Sequence, residues 1–153
     1  MAESENRRLI VGTDRTGRST IARDDHDLAQ TQPLTGFSLQ EIWSQESVPG
    51  SRADAGLRAG AIGIEPPAAG ALVRILTISA LGPEDEWVPN LHGDNNRHVL
   101  TVVSGTVDLI LEDNVTTMHT GDSVVMSGHI HDWRNTYGVP AVLVYTSFPL
   151  VRG

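Results

Sequence analysis

The 153-residue sequence contains no cysteine and no lysine: all 11 of its basic residues are arginine. Without a thiol there is no cysteine nucleophile, disulfide framework, thiolate zinc site or cysteine-ligated iron–sulfur cluster. Without an amine side chain there is no Schiff-base lysine, hence no internal pyridoxal phosphate aldimine, and no P-loop lysine. Long apolar runs are missing too. No stretch approaches the roughly 20 apolar residues of a membrane-spanning helix, and the polar start Met-Ala-Glu-Ser-Glu-Asn-Arg-Arg has no hydrophobic leader core. Positive charge is in deficit, with 19 acidic residues against 11 basic and a formal net charge of −8. Such a chain repels phosphate backbones and anionic membranes on average, so neither nucleic acid nor membrane is expected as a partner. The expected setting is cytoplasmic, and the chemistry left is that of histidine, carboxylate and hydroxyl groups.

From Leu72 onward, short runs rich in β-branched residues alternate with Gly, Pro, Asn and Asp at intervals of about ten residues, the spacing of an all-β sandwich or barrel. The pattern predicts strands over Leu72–Ala80, His98–Ser104, Thr106–Glu112, Val115–His119, Ser123–Met126, His131–Asn135 and Ala141–Phe148. Ser104-Gly105 and Asp113-Asn114 stand where hairpin turns are needed, since Gly and Asn accept positive φ. Upstream, Leu9–Val11, Ser19–Ala22 and Phe37–Ser44 are candidate strands, Asp14–Gly17 a turn, and Pro49–Gly60 a loop or one short helix. Residues 1–65 hold too few large apolar side chains for a core of their own. They are expected to form an N-terminal extension packed on a barrel spanning 66–153.

The six histidines are unevenly placed. His26 lies alone, whereas His92, His98, His119, His129 and His131 fall within 40 residues. Side chains two apart on a strand share a face, so His98, Leu100 and Val102 are expected to point one way, with His92 and Asp94 converging on them where the chain enters the barrel. His131 and Trp133 alternate with Ile130 and Asp132 in the same manner. A barrel pairing these segments gathers His92, His98 and His131 around its interior. With Asp94, they make a candidate first shell for a divalent ion such as Zn, Fe, Mn, Ni or Co. The alternative is a metal-free polar pocket in which the same groups do acid–base work, with Asp94 as a hydrogen-bond acceptor fixing an imidazole tautomer. His129 shares the parity of His131 but falls on the loop at the strand entrance; His119 and His26 are expected in solvent. Trp133 is expected to line the barrel and Asn135 to close a backbone turn. Tyr145 is a candidate proton donor and Arg74 a candidate anchor for a substrate carboxylate. Ser127 and His131 do not form a hydrolase pair, because the chain has no Gly-x-Ser-x-Gly elbow.

These residues resemble the cupin family. Its first signature, His-x-His, three or four residues, Glu, six residues and Gly, is approximated by His92, Asp94, His98 and Gly105, with Asp94 at the second His position and His98 at the Glu position. Its second, Gly-Asp followed by His, three residues and Asn, is matched by Gly121, Asp122, His131 and Asn135. The resemblance departs in two places: Glu86 stands where the first motif opens with Gly, and the second motif lacks its Pro and is one residue short. It implies a double-stranded β-helix or jelly-roll barrel, of the kind in small single-domain cupins of bacterial and fungal metabolite pathways, that takes a compact small-molecule substrate at its mouth. It further implies a metal acting as Lewis acid, and pairing into homodimers, to which a strand such as Ser19–Ala22 can contribute by joining a partner's sheet. The reactions expected are proton transfers: dehydration, isomerisation, decarboxylation or cyclisation. A metal-dependent dioxygenase and a non-catalytic ligand-binding barrel are the alternatives.

Overall fold

The period-two runs become strands throughout. A computed structural model describes residues 6–51 and 62–151, and among these are eleven strands and no helix. They are β1 (Arg8–Thr13), β2 (Ser19–Asp25), β3 (Gln30–Leu34), β4 (Phe37–Gln45), β5 (Ala71–Ile78), β6 (Asn96–Ser104), β7 (Thr106–Leu111), β8 (Val115–His119), β9 (Ser123–Ser127), β10 (His131–Arg134) and β11 (Ala141–Pro149). The seven strands expected from residue 72 onward all appear, with ends within two residues of those read from the sequence. Most of the loop or helix expected over Pro49–Gly60 lies outside the described residues.

A six-stranded sheet, ordered β3-β4-β5-β11-β6-β9, faces a three-stranded sheet, β10-β7-β8, and β1 pairs with β2 alone. Every strand pairing is antiparallel. The result is a jelly-roll barrel, in which two sheets bury their apolar faces against each other. In β5, β6 and β11, burial alternates residue by residue. Leu72, Leu76 and Ile78 from one strand, Leu100 and Val102 from the next, and Leu143 from the third meet Val107, Leu109 and Trp133 of the facing sheet in one core.

The strand β3 was not expected. Gln-Thr-Gln-Pro-Leu is polar and carries Pro33, which removes a backbone donor; such a strand is tolerated because β3 is an edge of its sheet. Nor does the hydrogen bonding break at residue 65. β3 and β4 lie in the same sheet as β5, where Glu41 sits opposite Arg74 and Leu39 opposite Leu76.

The two glycine and asparagine turns behave differently from each other. Gly105 has φ of +82°, but it turns a corner between the two sheets rather than a hairpin, because β6 pairs with β11 and β9 while β7 pairs with β10 and β8. The Asp113-Asn114 hairpin joins β7 to β8 with no positive φ, closed by the Leu111 N–H donating to the Asn114 carbonyl at 2.8 Å. The turn at Asp14 forms as expected, its carboxylate accepting from the Thr16 and Arg18 N–H groups.

Candidate active site at the barrel mouth

The long connection from β5 to β6 (residues 79–95) carries two of the candidate residues, and its attachment to β10 sets their position. The Trp87 indole donates to the Trp133 carbonyl at 3.2 Å, with the Arg134 guanidinium lying 5.4 Å over its ring. His92 and His131 then exchange both backbone hydrogen bonds, at 3.1 and 3.0 Å, in an isolated antiparallel bridge. This bridge brings the imidazoles together, with ring centroids 4.6 Å apart for His92 and His131 and 6.5 Å apart for His98 and His131.

Hydrogen bonds fix which nitrogen each ring presents. The Nδ1–H of His92 donates to the Asn90 carbonyl (2.6 Å) and that of His131 to the His129 carbonyl (2.9 Å). In the neutral form both rings therefore carry the lone pair on Nε2, the arrangement that ligating and proton-accepting histidines share. His98 differs: its Nε2 stands 2.6 Å from Asp94 Oδ2, and its Nδ1 is buried without a hydrogen-bond partner. Burial holds the His131 imidazole below its ordinary pKa, with His92 and His98 adding to the effect, so it is neutral at neutral pH. Burial acts to raise the Asp94 carboxyl, yet hydrogen bonds from His98 and from the Asn96 N–H outweigh it and hold the group below the usual range. Burial pushes the Tyr145 phenol up. Its ring lies 5.5 Å from that of His98.

These groups open on a cavity of about 380 Å³, within the range of small-molecule sites. His92, Asp94, His98, His131 and Tyr145 all line it, as do Leu100 and Trp133. Arg74 does not. It points inward from β5 and is completely buried, but Glu41 of β4 takes its charge (3.1 Å) and the Gly63 and Ile64 carbonyls take two more N–H groups. The carboxylate-anchor role expected for Arg74 is therefore corrected: a buried guanidinium already neutralised and walled off from the cavity is structural. His129 is exposed and contributes its backbone carbonyl rather than its ring; His119 and His26 are exposed, as expected. Asn135 closes a turn, its side chain bonding Ile78, Val139 and Tyr137 backbone groups.

The sequence reading missed Asp132, which is 4 % exposed. Its Oδ2 accepts the Asn90 N–H at 2.6 Å, and Asn90 in turn fixes the His92 ring, so Asp132 positions His92 through one intervening residue. Glu65, which accepts from the Asn96 amide, and the apolar wall of Phe37, Leu39 and Met126 were missed as well.

Three imidazoles and a carboxylate suit a borderline divalent ion, and two of the four have Nδ1 held by a backbone carbonyl and Nε2 left to face a ligand. Among the described residues no three His, Asp or Glu side chains are gathered tightly enough to hold a metal as they stand. The donor set fits a divalent ion in chemistry, and its side chains would have to move to gather around one.

A two-sheet antiparallel barrel with histidines from two segments at one end is a jelly-roll architecture. Residues 78–147, a little under half of the chain, match the family model of the cupin domain, so the chain carries a cupin domain there. The barrel extends upstream of that match, through β3, β4 and most of β5. An RmlC-like cupin from Shewanella frigidimarina is 14 % identical over 80 % of this chain and 85 % of its own, with a TM-score of 0.50. KdgF from Halomonas sp. is 13 % identical over 80 % of this chain and 88 % of its own, at 0.53. AerE from Microcystis aeruginosa is 11 % identical over 82 % of this chain and 46 % of its own, at 0.54. At such identities the likeness is one of fold. No curated protein matches the sequence.

Proposed function

We propose that the protein is a small-molecule enzyme, metal-dependent, that moves a proton on its substrate in a dehydration, isomerisation, decarboxylation or cyclisation. The carrying observation is the pairing of a buried, neutral His131 with a buried Tyr145 phenol around one 380 Å³ cavity. Burial shifts the two in opposite directions, so a proton acceptor and a proton donor coexist at neutral pH without adjustment. The Nδ1–H of His131, held on the His129 carbonyl, keeps Nε2 free to accept, and Asp94 holds the His98 ring in place. His92, Asp94, His98 and His131 would hold the metal, which supplies Lewis acidity toward a substrate carbonyl or enolate oxygen. With His131 engaged as a ligand its Nε2 would no longer accept a proton, so the His131–Tyr145 pair belongs to the site before metal binding, and Tyr145 remains the proton donor in either case. A dioxygenase reading rests on the same imidazoles, which also suit redox iron; activity that vanishes under argon would favour it.

Elemental analysis of the untagged protein beside a His98→Ala variant tests the metal. The expected result is one divalent ion per chain in the parent and its loss in the variant. A parent free of metal after purification in metal-replete medium would leave acid–base chemistry alone.

The protein is further proposed to be a cytoplasmic homodimer. Support for the dimer comes from the β1–β2 ribbon, whose Leu9, Val11 and Ile21 are exposed and which makes a two-stranded sheet, marginal in water on its own. Light scattering should return about twice the 16.5 kDa chain mass; a monomer would refute it.

A further inference from the structure

We infer that the barrel takes an uncharged, largely apolar molecule carrying hydroxyl or carbonyl oxygens, and rejects carboxylates and phosphates; this rests on the reading of the cavity as a small-molecule site and, of the reactions proposed above, leaves dehydration, isomerisation and cyclisation, since decarboxylation needs a carboxylate. The inference starts from charge. Three carboxylates line the cavity, Glu65, Asp94 and Asp132, and among the described lining residues there is no arginine to set against them. Arg74, the inward-facing cation of the six-stranded sheet, has no share in the lining and is matched by Glu41.

An anionic substrate would therefore enter a pocket whose three carboxylates outnumber the two charges of a divalent ion held there, and which offers no bidentate partner, in a chain already at −8. A cationic substrate is no better served. Asp94 is engaged by His98 and the Asn96 N–H, Asp132 by the Asn90 and Trp133 N–H groups, and Glu65 by the Asn96 amide. With those oxygens occupied, burying an ammonium against them forfeits hydration without full compensation.

The remaining surface sorts the ligand by shape. Phe37, Leu39, Leu76, Leu100, Met126 and Trp133 form an apolar wall, and the free Nε2 atoms of His92 and His131 stand on the polar side. A molecule that fits both sides is flat or compact and apolar, with its oxygens grouped at one edge. Hydroxyls there donate to Nε2.

Calorimetric titration of the purified protein with three probes of equal bulk tests this: 2-naphthol, 2-naphthoate and 2-naphthylmethylammonium. The expected result is binding of 2-naphthol at least about tenfold tighter than either ion. Glu65→Gln, at the exposed rim, should strengthen 2-naphthoate binding by about two- to fivefold and leave 2-naphthol unchanged. Tighter binding of 2-naphthoate than of 2-naphthol overturns the inference while the small-molecule reading stands. The same holds if 2-naphthoate binding proves tight and disappears in Arg52→Gln/Arg58→Gln, whose positions lie outside the described residues. Failure of all three probes to bind overturns the small-molecule reading and the inference together.

Discussion

Replacing Arg74 with Met is expected to cost the fold about 3–5 kcal/mol, read from urea unfolding followed by circular dichroism. The guanidinium has no exposed surface, and its partner Glu41 is 2 % exposed. Bringing two charges out of water is costly, and they are tolerated in pairs because each offsets the other's lost hydration. Removing one leaves the other buried with reduced compensation. The register of β4 against β5 makes the pair unavoidable, since Glu41 and Arg74 stand directly opposite on the inner face. Arg74 also ties down the segment at Gly63 and Ile64, next to Glu65 on the cavity wall. Loss of the guanidinium should thus loosen one side of the site as well as the core. The double variant Arg74→Met/Glu41→Leu separates the causes: with both charges gone, most of the stability should return. A single variant costing under about 1 kcal/mol would show that water reaches the pair and that its burial is not what holds it in place.

The same residue shows how far sequence alone reaches. Alternation of Leu72, Arg74, Leu76 and Ile78 puts Arg74 on the inner face of its strand, and a lone inward arginine reads as a binding group. What cancels it is 33 positions away on β4, a strand whose pairing partner periodicity does not specify. Asp132 fails for another reason. On β10 it alternates with His131 and Trp133 and is expected to face outward, but the 79–95 connection covers that side and donates to its carboxylate. Strand periodicity reports two faces and is silent about what a long loop lays over them. The histidines were legible because their positions rest on local parity and motif spacing: His98 on β6 and His131 on β10 are buried, and His92 arrives through a backbone bridge between its segment and His131.

That bridge depends on close backbone approach, and replacing Gly128 with Ala should disrupt both the fold and the site. Gly128 has φ of +80°, and a Cβ there would stand 2.3 Å from the Asp94 carbonyl oxygen, well inside contact distance. Gly93, on the opposing segment, would place its own Cβ 2.7 Å from the Gly128 carbonyl oxygen. The segments leading into β6 and β10, which bear Asp94 and Gly128, thus meet with room for hydrogen atoms only. Gly138 supplies the control, with φ of +83° and nothing within 4 Å of its would-be Cβ. Gly138→Ala should lose only the conformational cost of a left-handed alanine, about 1–2 kcal/mol. Gly128→Ala bears the same cost and must also push Asp94 away. Because Asp94 holds the His98 ring, the displacement reaches the donor set directly. The expected outcome is a midpoint of urea unfolding well below that of Gly138→Ala, together with loss of the proposed metal, which Gly138→Ala should retain. Equal midpoints in the two variants would mean that the segments can part without cost, and the cupin site would then owe its shape to something other than this contact.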